Sequence, residues 1–305
     1  MEAMLFDFGE EFDKPVISNQ LTDRFGETPF SVLHTNTGRW QDANRDWLKL
    51  GIKSELGRVD GTHTFRWGRT IAEKYPAHII ESASIFSARL TQIMYQWFCP
   101  ENGTILDPFA GGSVRGIVAG VMGHSYTGID IRAEQVEENE KQARELAGKL
   151  ATMPQWICGD SRTKLDEVNE QFDMIFTCPP YSDLEVYSDL EGDLSNMEYS
   201  QFLEAYREIV CKACTKLKDG CFAVIVVGEI RDKQGNLRGF VPDTIRAFQD
   251  AGMNFYNDMI LENQVGTACL RTKQFNASRK ILKIHQNILV FVKGKMDKSR
   301  NWLEF

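Results

Sequence analysis

From about residue 80 the chain alternates between two spacings of apolar positions. The stretch "SIFSARLTQIMYQWF" repeats them at three and four residues, which predicts a helix that stops at the turn "CPENG". "TILDPF" then reads as a strand and "SVRGIVAGVMG" as a helix. "SYTGIDI" is a strand, and "AEQVEENEKQARELAGKL" a charged amphipathic helix. "QWICGD" and "FDMIFTC" are strands, followed after a loop by the helix "NMEYSQFLEAYREIVCKACTKL". The strand "CFAVIVVG" and the helix "PDTIRAFQDAG" come next, and "NFYNDMILEN" and "HQNILVFVKG" read as two longer paired strands. Seven strands interleaved with helices predict an α/β fold: a mostly parallel sheet, helices on both faces, closed by an antiparallel terminal hairpin. Ligands of such sheets bind beyond the carboxyl ends of the strands.

Residues 1–75 lack this regularity and carry turn signals such as "TNTGRW" and "GRVDGTHTFRWGR". They are expected to form an extension, packed on the main domain or offered to a nucleic acid through Trp40, Arg45, Trp47, Arg58, Phe65, Arg66, Trp67 and Arg69. The catalytic domain is expected over 76–295, with a tail over 296–305. The 305 residues are 42% hydrophobic and 26% charged, enough to bury a full core. No apolar run reaches membrane-span length, and the acidic start "MEAMLFDFGEEFD" is unlike a secretory signal. Seven cysteines without an export signal point to reduced thiols in a cytosol. The C-x-x-C pair Cys211 and Cys214 falls on a helical pattern and reads as two small residues rather than a metal or redox site. The five histidines lack ligand spacing, so no metal is expected. The formal net charge is −8, yet between Arg271 and Arg300 lie Lys273, Arg279, Lys280, Lys283, Lys293, Lys295 and Lys298 against one acid, Asp297. That local basic surface is either solvated or phosphate-contacting.

"LDPFAGGSVRG" joins the first regular strand to a helix through a glycine turn, which lets a ligand approach the backbone and the helix amino terminus. Neither common phosphate motif fits: Walker A spacing would need lysine where Ile117 stands, and adjacent Gly111 and Gly112 break G-x-G-x-x-G. Acids end three successive strands instead: Asp107, Asp130 and Asp160. Any one of them reads as a cap or turn residue. Together, beside a glycine loop, they point to a nucleoside-bearing cofactor without a bound polyphosphate. A second oddity is "FTCPPYSD", where two prolines follow an apolar strand and end its pairing.

"DPFAGGS", "GIDI", "GDS" and "CPPY", in this order and spacing, resemble the motifs of the S-adenosylmethionine-dependent DNA amino-methyltransferases, which methylate cytosine N4 or adenine N6. The resemblance covers residues 75 to 293. The whole chain, including "PFSVLHTNTGRWQDANRDWLKLGIKSELGR", also resembles phage and prophage methyltransferases. It implies a Rossmann-like class I methyltransferase fold and S-adenosylmethionine as cofactor. Phe109, Ala110, Gly111 and Gly112 would take its methionine end, flanked by Asp107, Pro108 and Ser113. Asp130 would hold the ribose hydroxyls and Asp160 the adenine amino edge, with Ile131 and Ser161 beside them among the cofactor-binding residues. Phe86, in the segment from Ile85 to Ser87, matches a further cofactor-contacting motif.

In this family's chemistry an exocyclic nitrogen is a poor nucleophile until acceptors grip its protons and aim its lone pair. Pro179 and Pro180 fix carbonyls in set directions, and Tyr181 can stack on a base that is flipped from a duplex or lies in a single strand. The family usually has Asp, Asn or Ser before the prolines. Here stands Cys178, whose sulfur is a weak acceptor. Three readings follow: a serine substitute in cytosine-N4 chemistry, a nucleophile for methylating a pyrimidine ring carbon, or a small buried residue. Asp183 is the nearest acid able to accept an amino proton. Substrate contacts are expected from Tyr187, Arg271, Lys273, Arg279, Lys280, Lys283 and His285. The expected activity is DNA methylation, cytosine N4 before adenine N6, with RNA as an open substrate, alone or as a homodimer, in a bacterial or phage-infected cytoplasm. A non-catalytic partner subunit that binds cofactor or DNA is the reading from another class.

Overall fold

The computed structural model describes residues 21–52, 86–181, 190, 192–263 and 273–303. Its sheet has eight strands in the order β1-β7-β8-β6-β5-β2-β3-β4. These are β1 (Val32–His34), β2 (Thr104–Asp107), β3 (Ser125–Asp130), β4 (Gln155–Cys158), β5 (Phe172–Thr177), β6 (Leu217–Val227), β7 (Met253–Glu262) and β8 (His285–Lys293). Every neighbouring pair is parallel except the two that involve β8, which runs antiparallel to β6 and β7.

The count corrects the seven strands expected. β1 comes from the amino-terminal region and pairs in parallel with β7, Val32 beside Ile260 and His34 beside Glu262. Three residues are too few for an alternating pattern to show, and their pairing is set by β7 rather than by their own sequence.

The central strands are apolar on both faces, as a covered parallel sheet requires. In β2, β5 and β6, alternate residues enter two separate cores. Ile105, Met174, Phe176, Val224 and Val226 meet α1 (Gly38–Lys49), α2 (Ala88–Phe98), α3 (Val114–Met122) and α4 (Ala133–Glu145) on one face. Leu106, Ile175, Ala223, Ile225 and Val227 meet α5 (Ser161–Glu167), α6 (Tyr199–Lys216) and α7 (Phe240–Asp250) on the other. The short helix α8 (Lys273–Ser278) precedes β8.

Local chemistry sets the helix ends. Ser87 caps α2 by accepting from the Leu90 amide, and Thr37 caps α1 through the Trp40 amide. Within α3, Gly116 faces Trp156 so closely that a Cβ there would lie 2.5 Å from Cζ2 of the indole. Glycine therefore lets this helix lie against the β4 side of the sheet. The chain passes from β4 back to β5 across β2, so the strand order reverses between β2 and β5. That reversal is where open α/β sheets bind ligands.

Candidate active site

The cofactor-type loop and the proline corner leave the sheet side by side, because Leu106 of β2 is paired with Ile175 of β5. The hydroxyl of Thr177 donates to Asp107 Oδ1 across 2.6 Å, tying the last residue of β5 to the last of β2. Asp107 is fully buried. Its Oδ2 accepts from Arg115 Nε at 2.5 Å and from the Tyr126 hydroxyl at 2.8 Å, and Oδ1 also accepts from the Phe109 amide at 3.2 Å. Arg115 extends the network with Nη2 bonds to the carbonyls of Phe109 (2.7 Å) and Ala110 (2.8 Å), and its guanidinium lies over the Phe86 ring at 4.6 Å. Burial works against the Arg115 charge, and the carboxylate of Asp107 more than offsets it, holding the guanidinium above its ordinary range.

Three residues expected to face a cofactor therefore turn inward. Asp107 is spent on four internal donors. Ser113 and Ser161 are buried, their hydroxyls donating to Gln142 Oε1 (2.5 Å) and to the Pro108 carbonyl (2.6 Å). Pro108 and Ala110 are buried too, the Ala110 amide donating to the Ile129 carbonyl at 2.9 Å. These groups shape the loop from behind.

Gly111 stands at the front. Its φ of 53° favours glycine, and a Cβ built there meets nothing within 4 Å. Its amide donates to Asp130 Oδ2 at 2.9 Å, and its carbonyl accepts from Asn139 at 2.8 Å. Asp130 also accepts from the Arg132 amide at 2.9 Å. Burial pushes its carboxyl up to about 6, against the pull of Arg132 and the two amides. Ile131 follows, half-buried. Asp160 caps α5: Oδ1 accepts from the Arg162 amide at 2.8 Å, and Oδ2 from Arg162 Nε at 2.9 Å and Nη2 at 2.6 Å. Gly192 closes on the same spot, since a Cβ there would lie 3.0 Å from Asp160 Oδ2 and 3.5 Å from Ile131. Phe109 stacks on Tyr206 with centroids 5.9 Å apart, and Phe86 meets Phe176 edge-on at 5.7 Å.

Of the corner, Pro179 is buried while Cys178, Pro180 and Tyr181 are half-buried. The Tyr181 hydroxyl accepts from Gln286 Nε2 at 2.6 Å, and its ring meets Phe240 edge-on at 6.5 Å. Val227 of β6 pairs with Asn287 of β8, so β8 delivers Gln286 to the same edge of the sheet. His285 and Lys283 are half-buried nearby, and burial lowers the pKa of both. Lys283 Nζ reaches Asn287 Oδ1 at 3.3 Å. Arg279 is exposed, 5.2 Å above the Phe275 ring, and Lys280 is half-buried against Gly235. Asp183, Tyr187 and Arg271 fall outside the described residues, as does the side chain of Lys273. The Glu229 carboxylate accepts from the amides of Gly239 (3.2 Å) and Val241 (3.0 Å) at the start of α7.

Sequence reasoning passed over Arg115, Thr177, Arg162 and Gln286. Arg115 had a signal, being the one charge in the apolar helix "SVRGIVAGVMG". Gln286 had none, since only the pairing of β8 brings it to Tyr181.

Residues 172–304 match a family model of the N6 and N4 methyltransferases described as DNA methylase. The match begins at β5 and takes in the proline corner and Gln286. An uncharacterised RNA methyltransferase of Caldanaerobacter subterraneus subsp. tengcongensis is 28% identical over 171 residues, 52% of this chain and 34% of that one. The chain thus spans about a third of that relative's length. Among solved structures, TrmN from Thermus thermophilus aligns with TM-score 0.47 and 14% identity over 69% of this chain and 50% of that one. A TehB-like SAM-dependent methyltransferase from Corynebacterium glutamicum aligns with TM-score 0.42 and 16% identity over 74% and 98%.

The Asp130 carboxyl gives the site a pH signature. Its folded pKa lies above the ordinary 3.8, at about 6, so it gains a proton as pH falls through that value. A protonated carboxyl is a poor acceptor for the ribose hydroxyl pair that the resemblance assigns to Asp130. Cofactor affinity is therefore expected to fall about tenfold per unit below about pH 6. Fold stability from this group moves the other way, being largest below the ordinary carboxylate pKa and declining as pH rises to about 6. Titration calorimetry from about pH 5 to about pH 8 checks this. Equal affinity at both ends sinks it, and Asp130→Asn should flatten the profile.

Proposed function

We propose that this chain transfers the methyl group of S-adenosylmethionine to an exocyclic amino group of a base in DNA, at cytosine N4 ahead of adenine N6. The observation that carries the reading is the joining of the "DPFAGG" loop and the "CPPY" corner on adjacent strands at the sheet's reversal point, through Thr177 and Asp107. The open space in front of Gly111 and the half-buried Asp130 beneath it fit the cofactor. When bound it supplies an electrophilic methyl. Phe109 to Gly112 would line its methionine end, Asp130 would accept from the ribose, and Ile131 with Asp160 would border the adenine. We place the catalytic unit at 76–295, with a tail at 296–305 and an amino-terminal region, 1–75, whose β1 joins the sheet and whose α1 packs on the core.

The corner prepares the acceptor nitrogen. Two prolines hold their carbonyls in fixed directions, and the Pro179 carbonyl accepts a hydrogen bond from one amino N–H, which stays on the nitrogen while its lone pair is localised. Tyr181 holds the ring in plane, and the second proton leaves to solvent once the nitrogen is methylated. All six cysteines among the described residues are free thiols, which supports a cytoplasmic setting.

The decisive experiment offers labelled cofactor to mixed DNA and, because one relative is named for RNA, to mixed RNA, followed by nucleoside mass spectrometry. N4-methylcytosine in DNA is the expected product. No label in either nucleic acid would end the reading in favour of a binding protein. Cys178→Ser divides the remaining cases: N4 transfer should stay within about threefold of wild type. A loss beyond about 10³-fold, with 5-methylcytosine as the wild-type product, would mark Cys178 as a nucleophile.

A further inference from the structure

Ile281 is the most exposed large apolar side chain among the described residues, at 74%. It sits in the irregular segment between α8 and β8, flanked by Arg279, Lys280 and Lys283. Three contacts hold that segment and the start of β8 beside the candidate active site. The Asn263 amide donates to the Ile284 carbonyl at 2.8 Å, Gln286 holds the Tyr181 hydroxyl at 2.6 Å, and Lys280 packs over Gly235 in the turn that follows β6. Ile281 stands five positions before Gln286 in the chain, so the two lie within roughly 17 Å of each other.

We propose that Ile281 is a wedge that enters the base stack of duplex DNA when the target base is extruded, while Arg279, Lys280 and Lys283 seat the flanking phosphates. The proposal rests on the proposed function of this site and adds the form of its substrate. On a chain of net charge −8, three cations beside Ile281, the most exposed of the apolar side chains in this stretch ahead of Phe275 and Ile284, are complementary to a phosphate backbone with a stack of bases inside it. Extrusion breaks base stacking and leaves an apolar gap, and a side chain filling the gap recovers part of that cost. Isoleucine suits the task because β-branching leaves it few rotamers to lose.

The test uses the full chain, labelled cofactor, and one bacterial genomic DNA offered both native and heat-denatured. Ile281→Ala is expected to lose about tenfold on native DNA and less than about twofold on denatured DNA, where no gap forms. Its melting temperature should match wild type, since the side chain is exposed. Equal losses on both forms, or no loss on either, overturn the wedge. Wild type methylating only denatured DNA overturns it as well, and leaves the amino-methyltransferase reading intact. Wild type methylating neither form removes that reading and the wedge with it. A dimer in light scattering that becomes monomeric in Ile281→Ala would assign the residue to a protein interface instead. Replacing Arg279, Lys280 and Lys283 by glutamine should reduce the salt slope of duplex binding by about 0.9 for each phosphate no longer neutralised. An unchanged slope removes the phosphate half of the proposal.

Discussion

Tyr181→Ala should lower methyl transfer to DNA by about a hundredfold while cofactor affinity stays within about twofold. The ring lies against Gly228, Phe240 and Gln286, so truncating it removes a stacking surface while the Asp130 contacts with Gly111 and Arg132 stay in place. Its pose is fixed at two points: Gln286 donates to the hydroxyl at 2.6 Å, and Phe240 meets the ring edge-on. Without the ring, a base held in the proposed way would keep its hydrogen bond to the Pro179 carbonyl but not its plane. A displacement of about 1 Å is enough to cost two orders of magnitude. Tyr181→Phe separates the two parts, since it keeps the stack and loses one hydrogen bond. A three- to tenfold loss, about 1 kcal/mol, is expected. Single-turnover transfer beside equilibrium cofactor binding reads both quantities. A Tyr181→Ala protein that transfers at the normal rate would remove the corner from the mechanism.

The parts of this site legible in the sequence are those that local physics imposes. β5 and β6 had to be strands because their apolar runs are strand-length and bounded by turn chemistry. The glycine loop had to be open because Gly111 takes a positive φ. Expectation failed where a side chain's direction depends on distant pairing. Asp107 was placed at the sheet edge correctly, yet its carboxylate faces the interior, where Arg115, Tyr126 and Thr177 meet it. Asp160 was read through its strand and not through α5, whose seven residues are too few for a helical pattern to stand out. Arg162, two residues on, takes its carboxylate in a two-nitrogen grip.

That inward turn of Asp107 makes it the most consequential residue for stability. Asp107→Ala is expected to destabilise the fold by about 3–5 kcal/mol, because the Arg115 guanidinium is left charged and buried without its partner. Tyr126 and Thr177 lose their acceptor in the same step, and each buried unsatisfied group adds to the cost. Urea unfolding followed by circular dichroism measures the drop as a lower midpoint. The cause is isolated by a second substitution, Arg115→Met, made on top of the first. Removing both charges replaces an ion pair by apolar volume, which is often neutral or favourable in a core. The double variant should therefore recover at least half of the loss, a coupling that two independent sites do not show. If it is no more stable than Asp107→Ala alone, the stranded charge is not the reason. The recovered fold would still lack the Arg115 bonds to the Phe109 and Ala110 carbonyls. It should accordingly bind the cofactor more weakly than wild type while melting close to it. Stability and cofactor affinity thus separate at one ion pair, because Arg115 serves the core through Asp107 and the glycine loop through two backbone carbonyls.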